Sequence, residues 1–160
     1  MRLLHIPKTG GTSLLISGIP GGHHVTYQKG EKYITLIRNP VDWSVSYFSE
    51  QTEKSTCDMR DWLKEKYYNF QTKWLAKKIL NKEVVNSEVL KEIINILNEF
   101  KVIPTDQINR YFKLHLNKAR KAYKPSEKEI AHIKLNNSLD FELYKWAKNK
   151  EITARPKGLI

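Results

Sequence analysis

Near its N-terminus the chain reads His5-Ile6-Pro7-Lys8-Thr9-Gly10-Gly11-Thr12-Ser13. The short, largely apolar segment that leads into it predicts a β-strand, and Pro7 ends that strand because proline has no N–H to give to the ladder. The two adjacent glycines allow a tight turn with exposed backbone N–H groups. Thr12 and Ser13 are good N-cap residues, so a helix is expected to follow directly.

A strand, a glycine turn and a helix start together predict an anion-binding loop. Free N–H groups and the positive end of the helix dipole converge on one point, and Lys8 adds a full positive charge. In a Walker A loop the lysine follows the last glycine, whereas here Lys8 precedes both glycines, so the order departs from an ATP- or GTP-binding loop. The predicted binding residues of the loop are Lys8, Thr9, Gly10, Gly11, Thr12 and Ser13.

A second segment of ligand-binding character begins with the strand predicted over residues 33–37, which is apolar and rich in β-branched residues, as a strand covered on both faces should be. Pro40 suits the first position of a helix that runs towards Gln51. Arg38 therefore lies at the carboxyl end of a strand, where open α/β sheets place ligand contacts. Ser46 follows about two helical turns later, on the same broad face as the helix start.

Residues 7–13 resemble the 5′-phosphosulfate loop of sulfotransferases that use PAPS (3′-phosphoadenosine 5′-phosphosulfate). The form Pro-Lys-Thr-Gly-Gly-Thr-Ser is similar to the membrane-associated carbohydrate group, which includes the heparan sulfate 2-O-sulfotransferases. Arg38, Ser46 and Tyr47 resemble that family's 3′-phosphate-binding element. Members of the carbohydrate group often carry a second arginine where this chain has Trp43.

The segment His24-Val25-Thr26-Tyr27 resembles the His-Val-Ser-Tyr stretch that carries the catalytic base in the heparan sulfate 2-O-sulfotransferases. An imidazole titrates near neutrality and can accept the proton of an attacking hydroxyl. A short second strand is expected over residues 23–27, which would turn neighbouring side chains to opposite faces. We favour His24 as the base, and His23 stays open as the alternative.

The resemblance implies a PAPS-dependent O-sulfotransferase that moves a sulfuryl group to an acceptor hydroxyl on a carbohydrate or glycolipid and leaves PAP (3′-phosphoadenosine 5′-phosphate). Lys8 and His24 would be its catalytic residues. No metal ion is expected, since no Walker-B-like aspartate follows the strand over 33–37. No nucleic-acid partner is expected either, because the sequence contains no recognised nucleic-acid-binding motif. The implied fold is α/β, with a P-loop-like parallel sheet of about four short strands flanked by helices and a mostly helical C-terminal half.

The C-terminal half shows mainly helical patterns. Asp58 is expected to cap a helix that reaches about Tyr68, a fourth strand is expected over residues 101–104, and a long helix after it. Ser126 is expected to start another helix, with Glu129 completing a capping box. Residues 70–76 resemble a segment found in many bacterial and carbohydrate sulfotransferases, and this resemblance makes Gln71 and Lys73 acceptor-side candidates, that is, residues that would contact the acceptor substrate.

The composition sets broad limits on the protein's class. A chain of 160 residues is enough for one domain, residues 1–160, and the net charge of +11 favours anionic partners. Cys57 is the single cysteine, so an intramolecular disulfide is excluded. Nothing resembles a signal peptide and no apolar run approaches about 20 residues, so a protein without a membrane span, in the cytoplasm, is expected.

Two other functional classes stay open. The first is a P-loop nucleotide-dependent phosphotransferase. The position of Lys8 before the two glycines argues against this class. The second is a non-enzymatic basic protein that binds nucleic acid, for which the positive charge is the sole indication.

Overall fold

The computed structural model describes residues 1–51, 58–112 and 123–153. Its β-strands are β1 (Arg2–Leu4), β2 (Gly21–Gly22), β3 (Tyr33–Ile37) and β4 (Lys101–Pro104). Its α-helices are α1 (Gly11–Ile16), α2 (Pro40–Gln51), α3 (Met59–Trp62), α4 (Phe70–Leu75), α5 (Ser87–Leu97), α6 (Glu127–Asn136) and α7 (Ser138–Thr153). Short 3-10 helices span Glu65–Tyr67 and Thr105–Arg110, and a π-helical turn spans Ala76–Leu80.

The four strands form one sheet in the order β2-β1-β3-β4, and every neighbouring pair is parallel. Helices flank this sheet, and most of the described C-terminal half is helical. The predicted α/β fold with a parallel sheet of four short strands is therefore confirmed. Because parallel strands end at the same edge of a sheet, the segments that follow β1, β3 and β4 meet there.

The core lies on both faces of the sheet, and β3 is buried along its whole length. Tyr33 and Ile37 point to one face, where α5 and α7 supply Leu90, Ile93 and Leu143. The other face of the sheet is covered by α1 and the segment after β4, in an apolar group made of Leu3, Leu14, Ile34, Leu36, Ile103 and Ile108. The alternation along β3 explains why its sequence is apolar at successive positions.

The position of β2 differs from the prediction. Residues 23–27 have the higher β-propensity, but the residues that pair with β1 are Gly21 and Gly22. A Cβ on Gly21 would lie 2.2 Å from the carbonyl oxygen of Leu3, so only glycine allows this close approach of the two backbones. His23 and His24 follow in a turn and not in a strand.

Several helix boundaries also differ. Asp58 caps α3 through the N–H of Arg60, as expected of a cap, but α3 ends at Trp62, well before Tyr68. After β4 the chain forms a 3-10 helix, and the rest of the predicted long helix lies largely outside the described residues, as does Cys57. The capping box of Ser126 and Glu129 is confirmed at the start of α6.

Within residues 1–51, 58–112 and 123–153, no helix combines the length and the apolar character that crossing a bilayer requires.

Candidate functional site

The loop between β1 and α1 has its carbonyl oxygens held by donors from three surrounding elements and from the loop itself. The Nε1–H of Trp43 on α2 donates to Pro7 at 2.9 Å, and Nη1 of Arg38 donates to Lys8 at 2.9 Å. The remaining acceptors are the carbonyls of Ile6, Thr9 and Gly10, with Thr9 Oγ1, Thr105 Oγ1 and the Ser13 N–H as donors. With its carbonyls engaged in this way, the loop can present N–H groups to a ligand.

The turn itself has the backbone geometry that such a loop needs. Gly10 is left-handed, with φ of 89°, and stands at the N-cap of α1, where no side chain caps the helix. The first N–H groups of a helix have no intrahelical acceptor. Lys8 is also left-handed, with φ of 62°, which is uncommon for a residue with a side chain. The loop thus combines uncapped helix N–H groups with one constrained lysine.

Arg38 lies directly after β3, and its backbone is clamped by one side chain. Gln71 accepts from the Arg38 N–H at 2.9 Å and donates to the Arg38 carbonyl at 2.8 Å. Burial lowers the pKa of the Arg38 guanidinium and the nearby carboxylate of Asp42 raises it, and the group stays charged at neutral pH. Gln71 is therefore a buried support for Arg38, and because it is fully buried its side-chain amide is not accessible to an acceptor substrate.

These elements enclose a cavity of about 300 Å³ at the carboxyl edge of the sheet. It is lined by His5, Lys8, Gly10, Thr12, Ser13, Arg38, Ser46 and Thr105. Six of these are residues that the sequence predicted to bind one ligand, and they come from the loop, the end of β3 and α2. The cavity therefore gathers the two predicted binding segments into one place.

Two predicted binding residues do not line the cavity and support the loop instead. Thr9 is buried, and its hydroxyl donates to the carbonyl of Ile6 at 2.8 Å. Gly11 is buried against His5, and a Cβ at this position would lie 2.2 Å from the imidazole Cδ2. Both residues act on the shape of the loop, since a larger side chain at Gly11 would collide with the ring.

His24 is exposed in the turn after β2 and is not among the residues that line the cavity. His23, the alternative base, stacks on His5 with ring centroids 3.9 Å apart, and its Nδ1 lies 3.1 Å from the carbonyl oxygen of His5. Both imidazoles are exposed, and of the two candidates His23 is the one that packs against a residue of the cavity wall.

Three residues near the cavity were not predicted from the sequence. His5 and Thr105 line it, and the carboxylate of Glu50 lies 2.8 Å from the Lys8 ammonium. Thr105 directly follows β4, so the rule that ligand contacts lie at the carboxyl ends of strands could have identified it. Glu50 carries the weaker signal of following Ser46 by one helical turn on the same face of α2.

Tyr47 directly follows Ser46 on α2, and its ring packs in a group of aromatic side chains. Its ring stacks on Trp43 with centroids 5.1 Å apart and lies 5.4 Å from Tyr67. A second cleft of about 260 Å³ lies beside this group and is lined by Asp61, Trp62, Lys64, Lys66 and Tyr67. Trp62 and Tyr67 stack on each other at 4.6 Å, which is the arrangement of packed core aromatics.

Lys73, the other acceptor-side candidate, donates from Nζ to the carbonyl oxygen of Glu65 at 2.9 Å. Nowhere in the described part of the chain do three or more His, Cys, Asp or Glu side chains gather in a way that could hold a metal ion.

No family model, curated protein or solved structure matches the chain.

Proposed function

We propose that this protein is a PAPS-dependent O-sulfotransferase. The observation that carries the proposal is the cavity in which Lys8 and the glycine turn meet Arg38 and Ser46. PAPS has two phosphate positions on opposite sides of its ribose, and the cavity offers two cations on separate elements.

In the proposed reaction PAPS supplies the sulfuryl group, and the chain's residues bind, orient and stabilise charge. Lys8, the free N–H groups of the loop and the hydroxyls of Thr12 and Ser13 hold the 5′-phosphosulfate, where negative charge grows on the phosphate oxygen that loses the sulfuryl group. Arg38 and Ser46 hold the 3′-phosphate. One preorganised donor at such an oxygen contributes about 3 kcal/mol, or roughly 10²-fold in rate.

The acceptor hydroxyl must lose its proton as its oxygen bonds to sulfur. We assign that proton to His24, whose exposed imidazole is open to an incoming acceptor. The proposed acceptor class is a carbohydrate or glycolipid hydroxyl, and no step requires a metal ion.

The 3′-phosphate distinguishes PAP from common nucleotides, so ligand binding is the sharpest test. A ligand at about 100 times its Kd adds roughly 2.7 kcal/mol of stability, which thermal unfolding detects. We expect PAP to raise the melting temperature, ADP to raise it little, and Arg38→Gln to abolish the difference. Arg2→Gln is the matched control, because Arg2 lies at the opposite end of β1 and pairs with Glu31.

Absence of a shift with millimolar PAP would refute the proposal. A shift with Mg·ATP and none with PAP would favour a phosphotransferase in its place.

A further inference from the structure

His5 is a polar side chain sealed inside the protein without an evident partner for one of its nitrogens. The residue is 3% exposed, and its Nδ1 has no hydrogen-bond partner among the described residues. Buried polar atoms are normally paired, and an unpaired one calls for a specific explanation. The same ring forms part of the cavity wall together with Lys8 and Arg38.

The ring meets the cavity on the side of Nε2. Because Nδ1 is sealed, the imidazole can face the cavity only through Nε2 and its carbons. The position of a Cβ on Gly11 would be 2.6 Å from Nε2, so this nitrogen lies beside the first residue of α1. That is the place where the uncapped helix N–H groups are also found.

The protonation of the ring follows from its surroundings. Burial, and to a lesser extent the neighbouring His23, lower the pKa of His5 to about 4, so the ring is neutral at pH 7 and carries one N–H. In proteins, a buried N–H without a hydrogen-bond acceptor is rarer than a buried acceptor atom without a donor. The proton therefore belongs on Nε2, where a ligand in the cavity can accept it.

His23 holds the ring in this orientation. Its imidazole stacks on His5 at an interplanar angle of 25°, and its Nδ1 lies 3.1 Å from the His5 carbonyl oxygen. Since a carbonyl only accepts, Nδ1 of His23 must be the protonated nitrogen of this contact. His23 thereby ties its own ring to the backbone of the residue on which it stacks, and we assign it a positioning role.

We propose that His5 is a further binding residue of the cavity, whose neutral imidazole donates its Nε2–H to a phosphate group of the bound nucleotide. This inference rests on the anion cavity of the proposed function and adds a ligand contact that the loop resemblance does not assign. A neutral donor adds a hydrogen bond to an anion without adding charge beside Lys8 and Arg38.

Two substitutions of His5 test whether the Nε2–H donor, and not the imidazole ring as such, is needed for ligand binding. The amide nitrogen of glutamine can reach the place of Nε2, whereas the shorter asparagine places its amide nearer to Nδ1. We expect His5→Asn to weaken PAP binding about tenfold or more in calorimetric titration, and His5→Gln to stay within about threefold of the unchanged protein. His132→Gln, which alters a histidine on α6 paired with Tyr68, is the matched control and should leave the affinity unchanged.

Nitrogen NMR of the folded, unsubstituted protein provides the second measurement. We expect the free protein to show His5 as the Nε2–H tautomer, with the Nε2 signal shifting on addition of PAP. A Nδ1–H tautomer, equal PAP affinity in His5→Asn, or equal losses in His5→Asn and His5→Gln would each overturn the inference.

Binding of other phosphate ligands distinguishes a failure of the proposed function from a failure of this inference about His5. His5-dependent binding of inorganic pyrophosphate without PAP binding would refute the sulfotransferase and leave the phosphate contact standing. Absence of binding to PAP, ADP and pyrophosphate alike would refute both.

Discussion

Lys8 is constrained at both ends. Its backbone adopts the left-handed conformation and its carbonyl accepts from Arg38, while its ammonium is engaged by Glu50 at 2.8 Å. The lysine side chain is 25% exposed and that of Glu50 is 54% exposed, so the pair is open to solvent and its strength is modest. An anion that enters the cavity must compete with Glu50 for this ammonium.

We predict that Glu50→Gln tightens PAP binding. Removing the competing carboxylate leaves Lys8 free to face the ligand, and an exposed pair is worth about 0.2–1 kcal/mol, which corresponds to a gain of up to about fivefold. Calorimetric titration at low ionic strength measures it, because salt screens exposed charges. Glu31→Gln makes the same change in net charge at the Arg2 pair and should leave the affinity unchanged, whereas equal affinities in the two variants would contradict the prediction.

At the scale of elements, α4 holds the residue that follows β3 in place through hydrogen bonds from Gln71. The buried carboxylate of Asp140 on α7 accepts from the N–H groups of Gln71 and Thr72, which fixes the start of α4. Gln71 in turn holds both backbone groups of Arg38. Burial raises the pKa of Asp140, and these hydrogen bonds oppose that rise. The orientation of Arg38 thus depends on a chain of contacts that begins on the last described helix.

We predict that Gln71→Met lowers both stability and PAP affinity. Methionine has a similar volume, but it leaves the partly buried N–H and carbonyl of Arg38 without the partner that Gln71 supplies, at up to about 1–3 kcal/mol for each such group. Urea unfolding and calorimetric titration measure the two effects. Lys73→Met, two residues along α4 and half exposed, is the control for a change on the same helix. Unaltered PAP affinity in a Gln71→Met protein of reduced stability would show that Arg38 does not need this clamp.

At the scale of the whole molecule, the buried histidine links stability to pH. The pKa of His5 is lowered from 6.5 to about 4, so the unfolded chain binds a proton more readily than the folded protein does. The contribution of His5 to stability is therefore complete above pH 6.5 and is lost as the pH falls towards 4. Acidification also raises the net charge above +11 and increases self-repulsion.

We predict that the unsubstituted protein loses about 3 kcal/mol more unfolding free energy between pH 7 and pH 4 than His5→Gln does. The lowered pKa values of Glu31, Asp58 and Glu129 contribute equally to both proteins and cancel in the comparison. Urea unfolding across this range measures the difference. Parallel stability curves for the two proteins would mean that His5 keeps an ordinary pKa in the folded state.

Much of the architecture could be predicted because its signals are local. The apolar run of β3, the proline at the start of α2 and the capping box of α6 each specify an element within a few residues. The loop and Arg38 were also predictable as partners, because parallel strands bring their carboxyl ends to one edge. The position of β2 was not, since β-propensity favoured residues 23–27 while the pairing with β1 required the close approach that Gly21 permits.

Residues 5–13 and 33–46 thus carry the strand ends, the glycine turn and the cations of the cavity in their order along the chain. The support beneath them depends on contacts between distant residues: Trp43 and Thr105 on the loop carbonyls, Gln71 on Arg38, and His23 on His5. Local patterns do not encode such contacts, because each partner looks like an ordinary buried or boundary residue until folding places it. Only the tertiary structure therefore decides that His5 lines the cavity, that Thr9 and Gly11 shape the loop, and that Glu50 pairs with Lys8.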